Sequence, residues 1–173
     1  MNDNLYNAAF NGKLEEVRRL LGSGANVNYA NPTQGCTPLY VASEKGHKDV
    51  AELLLRNGAK VDKATTDTGC TPLYIASCYG HKDVAELLLR NGAKVDQART
   101  DTGGTPLMIA ASRGLVAVAE LLLKHGASIE LRDSSGKAAL DWARDKGKTD
   151  VIRLFEIHKR SQEQAAEQAR LED

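Results

Sequence analysis

The sequence predicts an all-α solenoid of about five helix-turn-helix units stacked side by side, with hairpin-like fingers projecting from the stack. Three observations carry that expectation. The stretch Gly46–Asp62 recurs letter for letter as Gly80–Asp96, an offset of 34 residues. Looser copies run over Gly114–Glu130 and Gly12–Asn28. Within each copy the apolar residues fall at helical spacing, as with Val50, Leu53 and Leu54. One such unit cannot bury its apolar stripe, whereas neighbours sharing a continuous core can.

The units run over residues 1–35, 36–69, 70–103, 104–136 and 137–158, and a polar helical extension follows over 159–173. The central ones open on Thr37-Pro38-Leu39-Tyr40, Thr71-Pro72-Leu73-Tyr74 and Thr105-Pro106-Leu107-Met108. A threonine hydroxyl caps a helix N-terminus, and a following proline costs nothing because its N–H would be unpaired there. Leu39 and Ala42 then share one helix face. Gly46, Gly80 and Gly114 end these first helices in a left-handed conformation that a residue with a Cβ resists. A second helix follows at once, with Asp49 near its start and Arg56 near its end, both suited to the helix dipole. Gly58 closes it, and the chain passes into a finger whose Asp67-Thr68-Gly69 is turn chemistry.

The ends read as caps. Asp3 is the expected N-cap of the first helix, with Leu5, Ala8 and Ala9 on its apolar face. At the other end Val151, Ile152, Leu154, Phe155 and Ile157 supply a strongly apolar last helix. Beyond His158 the residues are good helix formers without a sustained apolar stripe, so a solvated, fraying extension is expected.

The units resemble the ankyrin repeat. The pattern TPLY-x-A-S-x-x-GH-x-D-V-A-x-LLL-x-x-GA-x-V matches that family's consensus at many fixed positions in each central unit, and the likeness extends nearly to residue 157. Two departures stand out. The central units carry one extra residue in the finger, and the family's first-helix histidine is replaced by Tyr6, Tyr40, Tyr74, Met108 and Asp141. The resemblance implies non-catalytic protein binding through a concave groove and the fingers. It also implies that Asn28, within LLGSGANVN, matches the site at which asparaginyl hydroxylases modify such proteins. A turn-stabilising role is the simpler reading of Asn28.

Composition sets bounds on function. The 173 residues carry 23 basic and 23 acidic side chains, which gives no support to a nucleic-acid or membrane-surface binder. No apolar run reaches the length of a membrane span, and the first residues lack a signal-peptide pattern. The three cysteines are an odd count, and Cys36 and Cys70 occupy one position in successive units, roughly 8–10 Å apart if packed as neighbouring helices. That is too far for a disulfide, so an intracellular, cytoplasmic rather than nuclear setting is expected. Neither a cofactor nor a metal is expected, because no phosphate-cradling loop, nucleophile elbow or metal-ligand spacing occurs. His47 and His81 read as structural histidines bonded to a neighbouring loop, and Cys78 as an exposed or half-buried thiol. A thiol-dependent enzyme built on Cys78 is the weakest reading.

Units two and three differ at five positions only: Val41/Ile75, Glu44/Cys78, Lys45/Tyr79, Lys63/Gln97 and Thr65/Arg99. Four of these lie at the end of the first helix or in the finger. Stacking turns equivalent positions into ladders. One reads Asn11, Lys45, Tyr79, Arg113 and Lys146; its neighbour contains Glu44 and Cys78; the finger adds Thr65 and Arg99. The first ladder is basic with an aromatic at its centre, residue types enriched at binding hot spots. These residues are the expected contact surface for an acidic or aromatic-bearing protein segment, bound by a monomer. The near-identity of the two central units also fits a consensus-style engineered scaffold with no ligand of its own. Leu115-Val116-Ala117, where the other units have His-Lys-Asp, reads either as an apolar contact patch or as side chains folded onto the adjacent cap.

Overall fold

Ten helices make up the computed structural model, which describes residues 1–172, and no strand occurs among the described residues. They pair as α1 (Asn2–Phe10) with α2 (Leu14–Gly22), α3 (Pro38–Lys45) with α4 (Lys48–Arg56), and α5 (Pro72–Tyr79) with α6 (Lys82–Arg90). The series continues with α7 (Pro106–Arg113) and α8 (Val116–Lys124), then α9 (Ala139–Asp145) and α10 (Thr149–Glu172). The first helices of the units pack in one row and the second helices in another. The chain belongs to the layered helix-on-helix class its repeats predict.

The local chemistry explains each pair. Thr37, Thr71 and Thr105 cap the first helices, their hydroxyls accepting the backbone N–H of Tyr40, Tyr74 and Met108. Unit five has Ala138 in place of threonine, and the Asp141 carboxylate instead accepts the Ala138 N–H at 2.9 Å. The core of each second helix centres on Val50, Ala51 and Leu54, while Leu53 is only half-buried and lies at the stripe's edge. The first helices present Leu39, Ala42, Leu73, Ala76, Leu107 and Ala110, all buried. Their small alanines let the first row close up more tightly than the second.

Units are stapled to one another by three recurring contacts. His47 donates from Nε2 to the Phe10 carbonyl at 3.1 Å, and His81 does the same to the Glu44 carbonyl at 2.9 Å. The fingers join by backbone bonds from Thr66 to Gln34, Thr100 to Thr68 and Ser134 to Thr102. Below them, the side chains of Asn28, Asp62 and Asp96 accept the backbone N–H of Lys60, Lys94 and Ser128. Leu115 replaces the histidine in unit four and packs over Gly80 of the preceding unit. Leu115 is therefore half-buried against the stack, while Ala117 is exposed.

Two terminal expectations are corrected. The first helix starts one residue before Asp3, which sits in its first turn and accepts a hydrogen bond from the Tyr29 hydroxyl at 2.5 Å instead of capping. At the C-terminus Val151 and Phe155 are buried, but Ile157 is 61% exposed because it lies off the face of α10 that carries Val151, Phe155 and the half-buried His158. Residues 159–172 continue the same helix as an exposed rod.

The closest approach of a side chain to a glycine is at the end of α3. Gly46 has φ 73°, and a Cβ there would lie 2.5 Å from the His81 ring, whereas Gly58, at φ 86°, has open space around it. Gly58→Ala should therefore cost only the left-handed strain, about 1–2 kcal/mol, and Gly46→Ala clearly more. In a His81→Ala background the extra penalty at Gly46 should fall to about the Gly58 value. Urea unfolding of the single and double variants measures this directly. Equal penalties at the two glycines in the native background would contradict the stapling role of His81.

Candidate protein-binding groove

The expected contact residues do not form one uniform surface. Lys45, Tyr79 and Arg113 end the helices α3, α5 and α7 and are exposed, with Tyr79 50% accessible. Each cation leans on the aromatic ring of the unit before it. The Lys45 ammonium lies 4.6 Å from the centre of the Phe10 ring, and the Arg113 guanidinium 5.5 Å from that of Tyr79. Such pairs contribute about 0.5–1 kcal/mol at exposed sites and hold the long side chains in one orientation. Tyr79 also stacks beside His81, with ring centres 6.3 Å apart. Asn11 and Lys146 are the exposed residues just past α1 and α9 and complete the row. Glu44 is half-buried, with its carboxylate 3.9 Å from Lys45 Nζ.

Two of the expected residues turn inward. Thr65 is 6% exposed; its hydroxyl accepts the Cys70 N–H and pairs with Thr68, so it shapes the finger. Asn31 does the same work one unit earlier by accepting the Cys36 N–H. Cys78 is 9% exposed and packs with Cys70 and Tyr74 in a small buried cluster. Neither side chain is presented to a partner. Arg99, at the third finger position, has no acceptor to offer the loop. It forms a forked ion pair with Asp101 and lies 5.4 Å over the Tyr74 ring, and the Asp101 bond raises its already high pKa.

A cleft of about 210 Å³ opens between units three and five, which the ladders do not anticipate. Tyr74 and Arg99 form one wall, Trp142 and Asp133 the other, and Met108, Ile109 and Ser112 the base. Trp142 donates its indole N–H to Asp133 at 2.8 Å, and Lys137 lies 4.7 Å over its ring. Burial pushes the Asp133 carboxyl up, but bonds from Ser135, Lys137 and Trp142 outweigh it and hold the group below the usual aspartate range.

The thiols are free and buried. Burial, with smaller help from Asp67, pushes Cys36 up to about 11; burial likewise carries Cys70 to about 11 and raises Cys78. They are held as protonated thiols, the reverse of an activated nucleophile. Asn28 is occupied at both ends of its amide, donating to the Gly58 carbonyl and accepting from Lys60. Both bonds cross to the following unit, so the Asn28 side chain joins neighbouring units rather than bracing its own turn. Among the described residues, no helix is long and apolar enough to cross a membrane.

Comparison with known families agrees with this architecture. A model of ankyrin repeats in three copies matches residues 5–99, and one of ankyrin repeats in many copies matches residues 88–143. The chain belongs to the ankyrin-repeat family, whose members are generally protein–protein interaction modules and typically non-catalytic. A comparison with curated proteins found no match.

Two measurements follow. The three thiols should react with a disulfide reagent at neutral pH far more slowly in the native chain than in denaturant; fast native labelling of Cys78 would contradict its burial. Because the folded pKa of Asp133 is lowered, its stabilisation is complete above the unfolded value of about 4 and is lost as pH falls through the folded value. Acid titration followed by Trp142 emission should show this loss. Asp133→Asn should lower stability at neutral pH and flatten the acid limb.

Proposed function

We propose that the chain binds a partner protein, without catalysis, along the face formed by the first-helix ends and the fingers. The observation that carries this reading is that cations at the first-helix ends are held on aromatic rings beside an exposed tyrosine. On the second helices Arg56 and Arg90 are neutralised within their own helix by Glu52 and Glu86, at 2.6 and 2.8 Å. On the groove side Lys45 and Arg113 rest on aromatic rings, and Arg113 has no carboxylate within 4.0 Å among the described residues. Oriented cations beside an exposed Tyr79 are suited to an acidic segment bearing an aromatic or apolar residue.

The large exposed apolar side chains, such as Phe10, Tyr79, Leu131 and Ile157, are scattered along the chain, which supports a monomer as the binding species. Three buried free thiols support a reducing compartment, the cytoplasm. The near-identity of residues 36–69 and 70–103 favours a second reading, a stable scaffold with no ligand of its own.

The test uses two baits, the native chain and a Lys45→Glu, Tyr79→Ala, Arg113→Glu variant whose folding is checked by circular dichroism. A protein held by the first and released by the second, with affinity reduced about tenfold or more, is the expected result. Identical capture by both baits overturns the groove reading. No capture by either favours the bare scaffold.

A further inference from the structure

The repeat offers two comparisons for the cleft between units three and five, and unit two has a smaller one, about 170 Å³, lined by Cys36, Tyr40 and the charged Glu44. In unit three the equivalent positions hold Cys70, Tyr74 and Cys78, which pack together as a buried cluster. In unit four they hold Gly104, Met108 and Ser112, and all three line the cleft. Cysteine has become glycine, tyrosine methionine, and cysteine serine. Two of these changes remove volume outright, and the third replaces a rigid ring with a flexible chain.

Backbone geometry does not account for the glycine. Gly104 is not among the residues of positive φ, and a Cβ built there meets its nearest neighbour, the Thr102 hydroxyl, at an ordinary 3.4 Å. Gly35, Gly69 and Gly103, by contrast, all adopt left-handed conformations. The finger has adjusted as well. Arg99 stands where Thr65 accepts the Cys70 N–H, and the Gly104 N–H turns to Thr102 instead. The outcome is a cavity walled by two aromatic rings and open to the groove.

We propose that this cleft is an anchor pocket for one large apolar side chain, of leucine or phenylalanine size, on a partner polypeptide that carries a carboxylate a few residues away. The base and walls provided by Ile109, Met108, Tyr74 and Trp142 are apolar. The acidic side chains around the cleft are already engaged: Asp101 by Arg99, Asp133 by Trp142 and the Ser135 turn, and Asp145 by Lys137. The charge left for a partner is that of Arg113, next to Ser112 on the cleft floor and without a carboxylate of its own among the described residues. A buried apolar anchor flanked by a charge-complementary contact is the usual anatomy of a hot spot. This assignment rests on the groove reading, but it can fail on its own.

Trp142 is the single tryptophan and lines the cleft, so its emission reports occupancy there. The probe is a displayed library of short random peptides selected on the full chain, with the winners made free of tryptophan and end-labelled for anisotropy. Two variants close the cleft with the repeat's own chemistry, Gly104→Cys and Met108→Tyr, and both should fold because units two and three already hold these residues. The selected peptides should share a large apolar residue with Asp or Glu close by, and should shift Trp142 emission. They should bind each closing variant, and Arg113→Glu, about tenfold or more weakly.

Peptides that leave Trp142 emission unchanged and bind the closing variants normally, yet lose affinity on Lys45→Glu or Tyr79→Ala, overturn the anchor pocket and leave the groove reading standing. Peptides insensitive to every one of these changes overturn both. A selection that enriches nothing beyond what a Gly104→Cys bait enriches overturns the pocket.

Discussion

Every interface in the stack depends on a side chain seated over a glycine. Each first helix ends on a left-handed glycine, and the absence of a Cβ there leaves room for a side chain from the next unit. His47 sits over Gly12, His81 over Gly46, Leu115 over Gly80 and Lys148 over Gly114. The same glycine therefore meets two demands, a backbone conformation that other residues resist and close approach by a neighbour. The histidines add a hydrogen bond to the carbonyl of the residue two before the glycine. Leu115 offers only apolar contact and Lys148 only its methylene stem, so the seat tolerates different chemistry as long as the glycine stays.

That constraint explains why so much of the fold is legible in the sequence. The Thr-Pro starts, the glycine stops and the period of 34 are backbone requirements, and each recurs where backbone geometry demands it. The ends were harder to read. Asp3 resembles a cap residue, yet it bonds Tyr29 in the following loop, a partner that no local pattern points to. Ile157 resembles a core residue by its apolar side chain, but it follows Phe155 by two places and so falls off the buried face of α10.

The contact surface was only half legible. Comparing units finds positions that vary, and variation alone does not separate exposure from a local change of role. Lys45, Tyr79 and Arg113 vary and are exposed. Thr65 and Cys78 also vary, but the first is a finger brace and the second a small core residue. The distinguishing signal lay in hydrogen-bonding capacity. Asn31 and Thr65 can accept an N–H from the residue five places on, and Arg99 cannot, so the arginine marks the finger in which the side chain is released.

The cleft illustrates what a motif search does not see. No residue in it is unusual by itself, and Gly104 sits among so many turn glycines that its sequence context gives it no separate meaning. It becomes informative only when its φ proves ordinary and its neighbours in the stack prove to be buried cysteines. Removing buried volume from a packed array forfeits dispersion contacts on every wall of the space left behind. A partner side chain entering that space restores those contacts, so the lost packing of unit four reappears as binding energy. Unit three retains the packing, and unit two keeps a smaller cleft, about 170 Å³, that ends on the charged Glu44. In a stack whose units share one backbone plan, specificity can thus come from what a single unit leaves out, while the seats that hold the units in register stay unchanged.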